Sequence, residues 1–295
     1  MSHQRVLSTV AAAALITLPG ALRAQPPAHY CPGVEGVMAA SLPPPGFYAR
    51  DYNVFYWSDR DNDPSGHSAG PPNFKAFTYA QVPRLVWVAD DTVLGANYGV
   101  SALLPFIDTE LQAGAYDNHS FGMGDLLVDG ILAWHPSRFD LIAAAGFWAP
   151  TGQAATQPTD PGKGYWTGML TLGGTWYMDA DKTWTVSALN RYEFNAEQRN
   201  THITPGQAYT LEWGVAKKLQ KIVDVGAAGY FQQKVTRDSG MGALPFRSRV
   251  ASVGPEIGVA IPKLEAQVSL RYLYEFIAED RAQGQAVTLT LTKRF

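Results

Sequence analysis

Leu264-Glu-Ala-Gln-Val-Ser-Leu-Arg-Tyr-Leu-Tyr-Glu-Phe276 alternates apolar and polar residues almost without fault for thirteen positions. Leu264, Ala266, Val268, Leu270, Tyr272, Tyr274 and Phe276 share one parity, and Glu265, Gln267, Ser269, Arg271, Leu273 and Glu275 share the other. A period of two is the signature of a β-strand with two chemically different faces. Globular strands average roughly five or six residues, whereas a tilted strand crossing a membrane needs about ten. The stretch therefore predicts a transmembrane β-strand.

The same pattern recurs along the chain. Between Tyr165 and Tyr177, Trp166, Leu170, Leu172 and Trp176 alternate with Thr167, Met169, Thr171 and Thr175. Two tryptophans ten residues apart on one face lie about 33 Å apart along the strand, or roughly 25 Å along the membrane normal once tilted, which is the separation of two aromatic girdles. Twelve such strands are expected, at about 47–58, 74–90, 93–107, 121–134, 139–148, 165–178, 182–195, 208–218, 222–236, 248–261, 264–277 and 285–295. An even number suits a bacterial single-chain barrel. Short connections such as Asp179-Ala180-Asp181 alternate with mostly longer ones at 59–73, 108–120, 149–164, 196–207, 237–247 and 278–284, so both termini fall on the short-turn, periplasmic side. The last strand ends on Phe295, which shares a parity with Val287, Leu289 and Leu291, and a C-terminal aromatic of this kind resembles the signal that barrel proteins present to their assembly machinery.

Composition agrees with an all-β outer-membrane barrel. Of 295 residues 46% are hydrophobic, yet only 17% are charged, against about 25% in an average soluble domain. A net charge of −3 argues against a nucleic-acid partner, which would require a basic excess. The single Cys31 has no partner for an internal disulfide. Val6 to Leu18 is an uncharged apolar run behind Arg5, followed by Ala21-Leu22-Arg23-Ala24. It is too short to span a bilayer as a helix and reads as a secretory signal peptide over 1–24, with cleavage after Ala24. Its removal takes away Arg5 and Arg23 and no acid, moving the net charge from −3 to −5. Residues 47–295 then form the barrel and 25–46 an N-terminal segment.

His29-Tyr-Cys-Pro-Gly-Val-Glu-Gly-Val-Met-Ala-Ala-Ser-Leu-Pro-Pro-Pro-Gly-Phe-Tyr-Ala-Arg-Asp-Tyr-Asn-Val-Phe-Tyr56 resembles a proteobacterial family labelled "putative MetA-pathway of phenol degradation", also called SphA-like. Ala80-Gln-Val-Pro-Arg-Leu-Val-Trp87, Gly146-Phe-Trp-Ala-Pro-Thr-Gly152 and Glu212-Trp-Gly214 look like three further blocks of it. The resemblance implies an outer-membrane barrel encoded near genes for aromatic catabolism and involved in passive uptake of small hydrophobic or aromatic compounds. It brings no substrate-binding residues with it.

Charge on the lipid face costs about 2–4 kcal/mol at the midplane, so the polar parity belongs inside. That places Asp125, Asp129, Arg191, Glu193, Glu212, Glu256, Glu265, Arg271 and Glu275 in the lumen. They read either as a mainly acidic ring around a pore or as residues that pair across strands and fill a narrow interior. Phe147, Trp148, Tyr165, Tyr230 and Phe231, near extracellular strand ends, are candidates for capturing an aromatic solute, although barrel aromatics more often belong to girdles. Residues 25–46 contain Pro43-Pro44-Pro45, which no sheet interior accepts, and form either a plug in the periplasmic mouth or a tethered periplasmic tail. The facing of Arg50, Asp51, Asn53 and Arg84 is open, and Pro83 predicts a bulge or kink in the second strand, a candidate lateral gap or an ordinary distortion of the wall.

Catalytic signals are weak. The six histidines lack metal-ligand spacing, Gly122-Met-Gly124 and Pro161-Gly162-Lys163-Gly164 are not nucleotide motifs, and Ser239 lacks a nucleophile elbow. No cofactor and no metal are expected. The partners expected are outer-membrane lipid and lipopolysaccharide, the assembly machinery through Phe295, and small hydrophobic solutes. The competing readings are a barrel enzyme acting on lipid or ester, a structural barrel with a filled lumen, and a secreted soluble β-sandwich.

Overall fold

The computed structural model describes residues 28–153, 156–243 and 247–295; the expected signal peptide and its cleavage point lie outside them. The described chain forms β1 (Gly46–Asn62), β2 (Lys75–Val93), β3 (Ala96–Leu103), β4 (Phe106–Ala113), β5 (Tyr116–Met123), β6 (Leu126–Trp134) and β7 (Phe139–Ala149). It continues with β8 (Thr167–Tyr177), β9 (Trp184–Asn195), β10 (Ala208–Leu219), β11 (Val223–Lys234), β12 (Arg249–Ile261), β13 (Ala266–Glu279) and β14 (Arg281–Arg294). Neighbours pair antiparallel, and β1 pairs with both β14 and β2, which closes the sheet and leaves no edge around the ring. The ring runs β1-β14-β13-β12-β11-β10-β9-β8-β7-β6-β3-β2 and has the twelve strands the alternation predicts.

β4 and β5 are continuations of two of these strands past breaks. β4 extends β3 beyond Leu104-Pro105, and β5 runs into β6 through Gly124-Asp125. Two adjacent strands are interrupted at one level, beside Pro83 of the continuous β2. Pro83 accepts a hydrogen bond from Leu104 N at 3.2 Å but has no N–H to return, and Pro105 in turn accepts from Gly124 N at 2.8 Å. β2 itself stays in register with β1 through Pro83, so the predicted kink falls on its neighbour instead. Above the break, among the described residues, β5 pairs with β4 alone. Its far edge meets Gln153 and Thr159, through Gln153 N to Met123 O at 2.8 Å and Asn118 Nδ2 to Thr159 Oγ1 at 2.9 Å. The loop is itself stapled by Asp160. Slight burial would raise that carboxyl's pKa, but donors from Thr156 and Gln157 outweigh it and lower the pKa.

Two expected loops are therefore strand. Residues 108–120 form the β4–β5 hairpin around Gly114-Ala115, hidden from a parity reading because Asp108, Glu110, Asp117 and His119 make one face polar and Thr109, Asn118 and Ser120 the other. The expected loop 278–284 reduces to Asp280, at φ 54°. Glu265 is a correction of the opposite kind. It follows the 3-10 turn Pro262–Leu264 at φ 46°, exposed at the periplasmic end, because the turn absorbs the register before β13 starts.

The outer face carries Leu170, Leu172, Leu270, Phe276 and Leu291, all exposed where lipid would lie, with Trp166 and Trp176 at opposite ends of β8. One site breaks this band. Arg50 and Tyr52 point inward, so Asp51 faces outward, midway along β1 between the exposed Phe47 and Phe55. Asn53 and Gln81 donate to its Oδ2 at 3.1 and 3.2 Å, while its Oδ1 has no partner. A half-satisfied carboxylate at that depth destabilises the wall. Asp51→Leu should raise the free energy of unfolding in vesicles by about 1–2 kcal/mol, measured from denaturant titrations; unchanged or lower stability would mean that lipid is not what Asp51 faces.

Candidate functional site: a threaded lumen

Residues 28–45 run through the barrel from its extracellular third to its periplasmic end. His29 sits beside Thr167 and Asn195, where β8 begins and β9 ends, and Leu42 packs low in the barrel on Val86 and Ile131 before Gly46 starts β1. Four of the five apolar clusters of the interior include a residue of this segment, among them Tyr30 with Leu127 and Trp148, and Val37 with Ala216 and Ala228. The lumen is thus a packed core built from wall and segment together.

A segment without regular structure cannot satisfy its own backbone in a dry interior. Wall carboxylates accept from it instead. Glu193 takes the N–H groups of His29 and Tyr30 at 3.1 and 2.9 Å, Glu212 those of Gly33 and Glu35 at 2.7 and 3.3 Å, and Glu256 that of Val37 at 3.0 Å. Hydrogen bonds to a charged acceptor are worth about 1.5–3 kcal/mol each, roughly twice a neutral one. Close approach also needs small wall residues. A Cβ on Gly214 of β10 would lie 2.4 Å from the Cα of Val37, so only glycine lets the segment touch the wall there.

The inward charges are committed to this packing. Arg191 bonds Glu212 Oε2 at 2.5 Å and lies over the Tyr30 ring at 4.0 Å, and Arg271 donates to Val34 O at 3.1 Å beside Glu256. Asp129 faces Arg84 and Ser101. Glu275 gathers the hydroxyls of Tyr56 and Tyr230 at 3.1 and 2.7 Å and the N–H of Gly284 at 2.6 Å. Asp125 turns in from the break between β5 and β6, holding Gly152 N, Lys163 N and His29 Nε2 at 2.8, 2.8 and 2.7 Å. One carboxylate thereby joins the interrupted wall, the loop on the β5 edge and the threaded segment. Glu265 takes no part.

The aromatic capture candidates divide by face. Trp148 stacks on His29 at 5.1 Å and Tyr165 meets its edge at 4.8 Å, both buried, and buried Tyr230 is held by Glu275, so these three are packing residues of the filled lumen. Phe147 faces outward and packs on Trp166, and half-buried Phe231 lies on the outward parity beside inward Tyr230 and Gln232.

Glu35 is the residue the alternation test misses, because its segment has no parity to read. Its carboxylate meets Arg50, Arg84 and Arg191 at 3.1, 2.9 and 2.8 Å, settling the inward facing of Arg50 and Arg84. The available signal is compositional: one acid between Gly33 and Gly36 in a segment otherwise free of charge after His29.

Thr167, His29 and Asp125 line up like a nucleophile, base and acid, with Thr167 Oγ1 2.8 Å from His29 Nδ1. Thr167 is fully buried, however, and its hydroxyl lies 2.7 Å from Asn195 Oδ1, so a substrate has no approach to it. Among the described residues no group of three or more His, Cys, Asp or Glu side chains could hold a metal ion. Cavities among the described residues accompany the lumen. One of about 60 Å³ lies beside the segment below Glu35, and one of about 530 Å³ at the extracellular rim touches Trp57, Phe77 and Tyr274, outside the packed interior.

Residues 58–291 match a family described as "Putative MetA-pathway of phenol degradation". The fold is similar to the crystal structure of the COG4313 outer membrane channel from Pseudomonas putida F1, with a TM-score of 0.78 at 15% identity over 87% of this chain and 97% of that one. It is also similar to the β-domain of the Bordetella autotransporter Brka, with a TM-score of 0.55 at 12% identity over 85% of this chain and 99% of that one. A channel and an autotransporter share the architecture, so at these identities the likeness establishes an outer-membrane barrel and no more. No curated protein matches the chain.

Proposed function

We propose, from the premise that the chain belongs to the MetA-pathway of phenol degradation family, that it is an outer-membrane channel for passive uptake of small hydrophobic and aromatic compounds. The observation that carries this reading is the pairing of a filled axis with an interrupted wall. An apolar solute gains nothing by crossing a lumen lined with paired charges, since each displaced ion pair leaves an uncompensated charge. The edge of β5 away from β4 offers another way out beside the outward-facing Phe106 and Phe121, because among the described residues it meets no strand there, just Gln153 and Thr159. The solute would enter from outside, pass the aromatic top of the threaded segment and leave sideways where lipid welcomes it.

The reading is tested by uptake of labelled toluene in a deletion strain and its complement. Ser120 Oγ and Thr159 Oγ1 lie 3.3 Å apart across the β5 edge, so Ser120→Cys with Thr159→Cys, in a Cys31→Ser background, places a disulfide over the gap. Oxidation should reduce toluene uptake on the order of tenfold, with recovery on reduction; the size follows from closing the single unpaired edge. Equal uptake with and without the protein would overturn the transport reading, whereas uptake indifferent to the disulfide would overturn only the sideways route. The barrel-enzyme alternative predicts turnover of lipid or ester by the purified protein, and the buried Thr167 gives it no footing.

A further inference from the structure

Three guanidiniums converge on one carboxylate at mid-lumen. Arg50 of β1, Arg84 of β2 and Arg191 of β9 come from both sides of the interior, and Tyr52 adds a hydroxyl donor at 3.2 Å to Glu35. Arg84 keeps Asp129 at 3.2 Å and Arg191 keeps Glu212, whereas Glu35 is the one ion-pair partner of Arg50 among the described residues. Without Glu35, three cations would face two acids. Donor capacity also exceeds what Glu35 uses, since Arg50 Nε and Arg191 Nε are buried with no partner. The roughly 60 Å³ cavity begins at these guanidiniums and continues between Leu42, Val86, Ile131, Ile142 and Leu189. A planar anion-binding fork thus sits directly on an apolar hollow.

We propose that Arg50, Arg84 and Arg191 form a binding site for the carboxylate of a small apolar acid, an aromatic monocarboxylate being the fitting class, and that Glu35 occupies it as an internal stand-in. The inference goes beyond the uptake reading, whose uncharged solutes leave sideways without meeting these charges. Arginine recognises planar carboxylates through paired N–H donors, and the acid that balances Arg50 comes from the threaded segment, whereas those of Arg84 and Arg191 are fixed in the wall. The hollow is too small for a ring while Glu35 is seated, for cavities that hold benzene measure about 150 Å³. Withdrawal of Glu35 frees both the charge site and the room. A tethered carboxylate competes at an effective concentration on the order of millimolar, so an incoming acid binds weakly and leaves again, as passage requires.

Benzoate is the probe and benzamide, its neutral isostere, the control. In folded, heat-modifiable Glu35→Ala protein, benzoate should raise the thermal transition saturably, with an apparent affinity on the order of tenfold or more above wild type because no tethered competitor remains. Benzamide should do nothing. Glu35→Gln, which keeps the side-chain volume, should fall between the two. The wild-type protein gives an independent reading through Cys31, the exposed thiol of the same segment: benzoate that displaces Glu35 should speed alkylation of Cys31 by N-ethylmaleimide, and benzamide should not. No benzoate effect on Cys31 and on whichever variants fold, or equal effects of benzoate and benzamide, would overturn the site. Either result leaves toluene uptake as a separate question, because toluene carries no carboxylate.

Discussion

Deleting residues 28–44 should leave a heat-modifiable barrel whose single-channel conductance in planar bilayers rises on the order of tenfold, because a twelve-stranded ring is wider than the side chains of its own wall can fill. The wall does not depend on the segment for its hydrogen bonds. Strand pairing runs unbroken around the ring from β1 through β14 and back to β2, and the segment adds no strand to it. What the segment supplies is volume and backbone donors: Tyr30, Val37 and Leu42 fill space between wall clusters, and its N–H groups satisfy Glu193, Glu212 and Glu256. With it gone, water enters and solvates those carboxylates, so their loss of partners is softened and the barrel persists. A deletion variant that assembles but conducts like wild type would show that something other than the segment closes the lumen, and would remove the reason for a sideways exit.

The two halves of this molecule differ in how far the amino-acid sequence reveals them. Alternation in β8, β9 and β13 assigns faces directly, because lipid on one side and a polar interior on the other impose the period on every position. Trp166, Leu170 and Trp176 stand outside while Thr167, Thr171 and Thr175 are buried inside. The period fails wherever both faces meet the same medium. β4 and β5 carry polar residues on both faces towards their hairpin, so Asp108 to His119 reads as a loop, and the threaded segment is surrounded by protein, so Glu35 has no face at all. The partners of Glu193, Glu212 and Glu256 were illegible for a related reason. A parity argument pairs a side chain with a side chain on another strand, whereas these carboxylates bind backbone N–H groups, which every residue but proline carries and which leave no mark in the sequence. Asp51 is the reverse case: its outward position follows from inward Arg50 and Tyr52, and it violates the apolar face that parity would otherwise demand.

Glu212→Ala should release the threaded segment far more readily than any neutral substitution along it. Glu212 is buried to 2% exposure and holds four groups at once: the N–H of Gly33 and of Glu35, the Tyr30 hydroxyl at 2.6 Å, and Arg191. Its removal strips the segment of three hydrogen bonds to a charged acceptor, each worth about 1.5–3 kcal/mol, while Arg191 keeps Glu35. Here that cost falls on docking rather than on unfolding, since Gly33, Glu35 and Tyr30 can reach water by leaving the lumen while the strands of the wall stay paired. At about 1.4 kcal/mol per tenfold, the docked population should weaken by a factor on the order of a hundred or more, read as faster alkylation of Cys31 and as frequent openings in single-channel records. Ser187→Ala is the matched comparison. Ser187 Oγ accepts the Ala40 N–H at 3.0 Å on the same segment, but as a neutral acceptor it is worth only about 1 kcal/mol. It should change both readouts less than tenfold. If the two variants release the segment equally, hydrophobic contacts such as Leu42 on Val86 hold it in place, and the wall carboxylates merely accommodate a backbone that packing has already positioned.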